Sequence, residues 1–135
     1  MTKTEIETLE QNRKILGIVK PSDYFLEQQF IKVVRVFIKS NVTFLKDQEK
    51  DHYKQLLLED KDSAVDYADS IGLVPVIALP DFLRHNLHDV NFELFKDVFE
   101  RAFNVSERYF LIEVSEALVN RLSMMVKSSE LFVSK

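Results

Sequence analysis

SDYFLEQQFIKVVRVFIKSNVTFLK, residues 22–46, is the densest apolar stretch of the chain, and its periodicity decides the fold class. Phe30, Phe37 and Phe44 recur at intervals of seven. At about 100° per residue, Leu26, Phe30, Val33, Phe37 and Phe44 fall on one side of a helix, with Ile31, Val34, Ile38 and Leu45 beside them. A face that wide predicts one helix over 22–46, covered on most sides. The remaining narrow face reads Gln28, Lys32, Arg35, Lys39, Thr43, Lys46, basic and neutral groups only. The competing reading is a strand: residues 31–38 are rich in β-branched side chains, and Lys39-Ser40-Asn41 can turn a hairpin into Val42-Thr43-Phe44. The Phe repeat and the spacing of Lys32, Arg35 and Lys39 fit about 3.6 residues per turn and favour the helix.

The wider composition agrees. A chain of 135 residues with 46% apolar and 30% charged residues can bury one core of its own. Two Gly and three Pro are few breaks for many short strands, and they favour helices. Eleven Phe and no Trp predict a core of rings that have no polar atom to satisfy. The expected fold is therefore all-α: a single-domain bundle of about five to seven helices over residues 1–126, with a loose tail at 127–135. The alternative is α+β, with a small sheet drawn from 30–45 and 73–79.

Working outward, Thr4 and Glu7 form a capping box for a helix over 4–16 with apolar Ile6, Leu9 and Leu16, ended by Gly17. Tyr53, Leu56 and Leu57 give an apolar edge to a helix over 47–59, and a short helix from 62 or 63 ends before Gly72. Pro75 and Pro80 make 73–79 an extended connector or a single turn. Pro80 then suits the first turn of a helix over 81–88. Asn91 caps a helix over 91–103, where Phe92, Phe95, Phe99 and Phe103 line one side, and a last long helix is expected over 107–126.

The absence of Cys excludes disulfides, thiol catalysis and Cys-based zinc sites, and fits a reducing compartment. The first residues carry charges where a signal peptide needs an apolar core, and the longest uncharged run, 70–80, is too short for a bilayer. These features point to a cytoplasmic protein with no membrane span. No glycine-rich phosphate loop, nucleophile elbow or zinc-helix motif occurs.

Charge is segregated within a net −4. Residues 20–46 carry five basic and two acidic groups, and residues 47–69 carry three basic and eight acidic ones. Pairing between the two segments is the plainest explanation. Three functional readings stand beside it. Asp60, Asp62, Asp66 and Asp69 offer an acidic surface to another protein, and self-association is an equal use for such segregated charge. Lys32, Arg35 and Lys39 can track nucleic-acid phosphates, but no aromatic interleaves them on the same face and the chain is acidic, so nucleic acid is disfavoured. Asp81, His85 and His88 stand at i, i+4 and i+7, a donor set that could hold Zn or Fe as the only cofactor suggested. Their face lies opposite Leu83 and Leu87, so a solvated face is the ordinary reading. The leading expectation is a non-enzymatic regulator, adaptor or inhibitor acting through a charged helical surface.

Overall fold

Ser22 starts the first described helix: its hydroxyl accepts the Phe25 N–H at 3.1 Å, and α1 (Asp23–Lys39) follows. The computed structural model describes residues 22–133, so the expected helix over 4–16 with its Gly17 ending lies outside the described residues. Six α-helices and four short 3-10 turns occur among the described residues, with one two-stranded sheet. The fold is mostly α, as the Phe and Gly content imply.

α1 stops at Lys39 rather than running to Lys46. The Ser40 hydroxyl donates to the Val36 carbonyl at 2.7 Å, and the Asn41 amide donates to the Phe37 carbonyl at 2.8 Å. The Asn41 side chain thus satisfies the Phe37 carbonyl, because the Asn41 N–H has turned to the Ile38 carbonyl, while Ser40 adds its hydroxyl to a Val36 carbonyl that its own N–H already reaches. The buried stripe of α1 is Phe30, Val34 and Ile38, narrower than the face expected, while Val33 is half exposed. Phe44 falls beyond the helix and is 92% exposed, so the third ring of the sevenfold repeat is outside the core. Replacing it, Phe44→Ser, is expected to change unfolding free energy by less than about 0.5 kcal/mol in a urea titration. A loss several times larger would mean that this ring is covered after all.

α2 (Asp47–Glu59) and α3 (Lys61–Ser70) form a hairpin around Asp60. The Asp60 carboxylate accepts the Asp62 N–H at 3.1 Å and the Ser63 hydroxyl at 2.8 Å, capping α3. Gly72, at φ +78, ends that helix. Its N–H bonds to the Asp69 carbonyl and that of Leu73 to the Ala68 carbonyl, the doubled closure that a left-handed glycine permits. Tyr53, Ala64, Ala68, Leu73 and Leu111 make a small cluster beneath the hairpin.

The connector at 73–79 does extend and turn: β1 (Val74–Pro75) is followed by a 3-10 turn, Val76–Ala78. β1 pairs antiparallel with β2 (Leu111–Ile112), Val74 opposite Ile112 and Pro75 opposite Leu111. Val42 bridges Ile112 too, and the Thr43 N–H donates to the Leu111 carbonyl at 2.8 Å. Segments near 42 and 74 therefore both extend, but each pairs with 111–112 and not with the other. The long helix expected over 107–126 is accordingly replaced by a 3-10 turn (Glu107–Tyr109), β2, and α6 (Glu116–Lys127). Ser115 is the effective cap of α6, accepting the Leu118 N–H at 3.1 Å.

α4 (Leu79–Leu83) is a short helix with Pro80 in its first turn, and α5 (Phe92–Arg101) is capped by Asn91, which accepts the Leu94 N–H at 3.2 Å. Of the tail expected over 127–135, residues 127–133 are described, and part of them packs on the body. Glu130–Phe132 makes a 3-10 turn opened by Ser129, and Phe132 is completely buried. Its ring stands edge-on to Phe30 at 4.8 Å and to Phe95 at 5.7 Å. The Asn91 N–H bonds to the Phe132 carbonyl at 2.8 Å, and Val90 bridges Val133. A single turn has no period to read, which is why the sequence pattern there is silent. Phe95 continues to Phe99, and Phe99 to Phe103, completing one run of rings down the core.

Candidate functional site

The strongest polar arrangement grows from Asn104-Val105-Ser106-Glu107. The Glu107 N–H donates to Asn104 Oδ1 at 2.9 Å, and the Asn104 N–H donates to Glu107 Oε1 at 3.0 Å, a reciprocal capping box. α1 brings two cations to the same carboxylate. Arg35 reaches it with both Nη atoms, 2.8 and 3.0 Å from its two oxygens, and Lys39 Nζ lies 2.6 Å from Oε2. Arg35 Nη1 also donates to the Ala102 carbonyl at 2.6 Å. Glu107 is only 6% exposed.

The Arg35 hydrogen bonds, helped by Lys39 and the Asn104 N–H against the cost of burial, pull the Glu107 carboxyl down to about 2. Glu107 in turn raises the Arg35 guanidinium above its ordinary value. The cluster is chemically a clamp: a fork-shaped bidentate pair with every strong donor directed inward. It ties α1 to the loop after α5. Arg101 adds a second tie between the same elements, bridging Glu27 of α1 and Asp97 of α5.

This geometry redistributes the basic stripe. Arg35 and Lys39 are engaged by Glu107, whereas Lys32 stays on the exposed face of α1. The expected pairing between the basic stripe and segment 47–69 does not occur among the described residues: none of the charged residues of 47–69 enters an ion pair there. The acidic groups divide into two kinds. Asp60 is consumed in capping, and the Ser63 hydroxyl and the Asp62 N–H hold its carboxyl below the usual range. Asp62, Asp66 and Asp69 lie exposed on α3 at helical spacing, so the structure does bring those three to one face. Leu58 on α2 is 88% exposed, and Val65 on α3 is exposed as well.

Asp81, His85 and His88 are not brought together on one helix. α4 ends at Leu83, His85 falls in the following 3-10 turn (Arg84–Asn86), and His88 lies beyond it, next to Asp89 at φ +52. The i, i+7 register needs an α-helix that the chain does not continue. Asp81 instead faces Lys96, 3.7 Å away, and His88 borders a shallow groove of about 400 Å³ with Val90 and Lys127. Among the described residues, no group of three or more His, Asp or Glu is arranged to hold a metal ion.

A larger groove, about 480 Å³, runs between α1 and the end of α6, walled by Phe25, Leu26, Val33 and Met125 with Glu130 at its rim. No signal in the pattern of 22–46 separated it from the core, because its walls share the apolar face with Phe30. The Glu107 clamp had a readable signal that a search for catalytic motifs passes over: the Asn-x-x-Glu box at 104–107.

Fold and charged faces together define a small, mostly α domain with a Phe-rich core and an internal Arg–Glu–Lys clamp. Comparison with protein-family models, with curated proteins and with solved structures finds no match. No helix among the described residues is long and apolar enough to cross a membrane.

Proposed function

We propose that this protein is a non-enzymatic interaction domain that receives a basic protein partner on the α2–α3 hairpin, as a cytoplasmic regulator, adaptor or inhibitor. One observation carries the reading: segment 47–69 holds eight acidic and three basic groups, yet none forms an ion pair with another described residue. The basic stripe, by contrast, spends Arg35 and Lys39 on Glu107, which removes two of the cations a phosphate-tracking surface would need. Exposed Leu58 and Val65 supply apolar contacts on the same hairpin, the combination of apolar patch and charged rim that protein interfaces use. Complementary charge on a partner would speed encounter and set orientation, with the apolar groups adding lifetime.

The test is affinity capture with the native protein and with an Asp62→Lys, Asp66→Lys double variant. Both side chains are exposed, so the variant should unfold at the same denaturant concentration as the native protein. Partner recovery should fall about tenfold or more, and raised salt should weaken the native complex in the same direction. Equal recovery by a folded variant would remove the acidic face from the account.

A further inference from the structure

The small sheet, extended by the bridge from Val42, has two outer edges, and only one is guarded. Segment 42–44, β2 and β1 lie side by side in that order: the Thr43 N–H donates to the Leu111 carbonyl at 2.8 Å, and β2 pairs on its other side with β1. On the β1 side, the Val76 N–H turns inward to the Phe110 carbonyl at 2.9 Å, so the preceding residue faces outward. That residue is Pro75, which has no N–H to offer a further strand. The opposite edge lacks such a guard. Because Thr43 points its N–H at β2, the N–H and carbonyl groups of Val42 and Phe44 point away from it, and none of them makes a main-chain hydrogen bond to another described residue. Residues 40–45, Ser-Asn-Val-Thr-Phe-Leu, contain neither charge nor proline, the devices that usually blunt an open edge. Two rings stand beside it. Two residues on from the Val42–Ile112 bridge, the antiparallel register sets Phe44 opposite Phe110, and these are 92% and 41% exposed.

We propose that segment 42–44 is a docking edge for an extended peptide of another protein, which adds there as one more strand. The main-chain groups of Val42 and Phe44 supply the hydrogen bonds, and alternate side chains of the peptide, aromatic or β-branched, rest on Phe44 and Phe110. The size of the edge selects this occupant over a second copy of the chain. Three residues span about 10 Å, whereas a stable dimer engages about 20–30 residues a side. The edge carries no charge, so it asks for an apolar, uncharged segment and not for the basic surface that suits the α2–α3 hairpin. The inference does not depend on that hairpin.

The test selects a displayed library of random dodecapeptides on the native full-length protein and counter-selects it on Phe44→Pro, which removes one outward N–H and the ring together. Phe44→Ser removes the ring alone and, with Phe44 outside the core, serves as the folded control. Selected peptides should alternate aromatic or β-branched residues, bind Phe44→Pro about tenfold or more weakly than the native protein, and lose a smaller part on Phe44→Ser. In dilute free protein the Val42 and Phe44 amides should exchange rapidly with solvent, and saturating peptide should slow them about tenfold or more. Should Phe44→Pro not fold, binding to Phe44→Ser and the exchange measurement decide by themselves. Three results would overturn the proposal. The first is a selection in which no peptide distinguishes the native protein from the variants. Slow exchange of both amides in dilute free protein would show an edge already covered within the chain. Protection that appears only as protein concentration rises would assign the edge to a second copy.

Discussion

Phe95→Ala is expected to lower the unfolding free energy by about 3–5 kcal/mol, the range for removing a buried ring and leaving a cavity. Phe95 is completely buried and its ring meets those of Phe30, Phe92, Phe99 and Phe132. It thus joins α1, α5 and the turn at Glu130–Phe132, and none of the three can shift to fill the space without losing its other contacts. A guanidinium titration measures the change. Domains of this size hold about 5–15 kcal/mol in all, so the variant should melt far earlier and can be partly unfolded at ambient temperature. A loss under about 1 kcal/mol would show that the ring cluster is not where stability resides.

Glu107→Ala is expected to cost about 2–4 kcal/mol, although it removes no apolar side chain. It leaves Arg35 and Lys39 facing each other without their common partner and takes the acceptor from the Asn104 N–H. Acidity separates the electrostatic part from the rest. The folded carboxyl is depressed from 4.5 to about 2, so its contribution is fully present above about pH 4.5 and disappears as pH falls through about 2. At full strength that depression is worth roughly 3 kcal/mol; solvent around Arg35 and Lys39, whose side chains are 32% and 47% exposed, screens it to about 2. The stability gap between native protein and Glu107→Gln should therefore be flat above about pH 5 and close towards pH 2. A gap that stays constant across that range would assign the effect to shape rather than charge.

The helices α3 and α5 were legible in the sequence because local signals bound them, Gly72 after α3 and Asn91 before α5. Helix α2 was legible from its apolar edge alone, its Lys46 cap making no side-chain hydrogen bond. Where local and distant demands disagreed, the pattern misled. Residues 107–126 contain apolar groups at helical spacing, yet Leu111 and Ile112 are taken by Val42, Val74 and Pro75 from far along the chain. Residues 40–46 continue the Phe repeat of α1, yet two side chains close the helix before Phe44. The candidate site was legible only in its sign. Charge segregation at 20–69 is visible in the sequence, but its consequence depends on Glu107, whose partners lie about seventy residues upstream. No spacing rule reaches that far. The histidine spacing misled for the opposite reason: it assumed one helix through His88, and that helix stops at Leu83.

The burial of Phe132 also bears on synthesis. Phe30 leaves the ribosome about a hundred residues before the ring that closes over it. At translation speeds of about 5–20 residues per second, α1 waits for many seconds with one wall of its apolar stripe uncovered. Hairpin α2–α3 can settle early on neighbours close in sequence, whereas the Phe core can assemble only once the chain through Phe132 has emerged. Nascent chains halted shortly before Phe132 should accordingly remain open to protease and to chaperones, and the vulnerable interval is set by elongation rather than by the speed of folding itself.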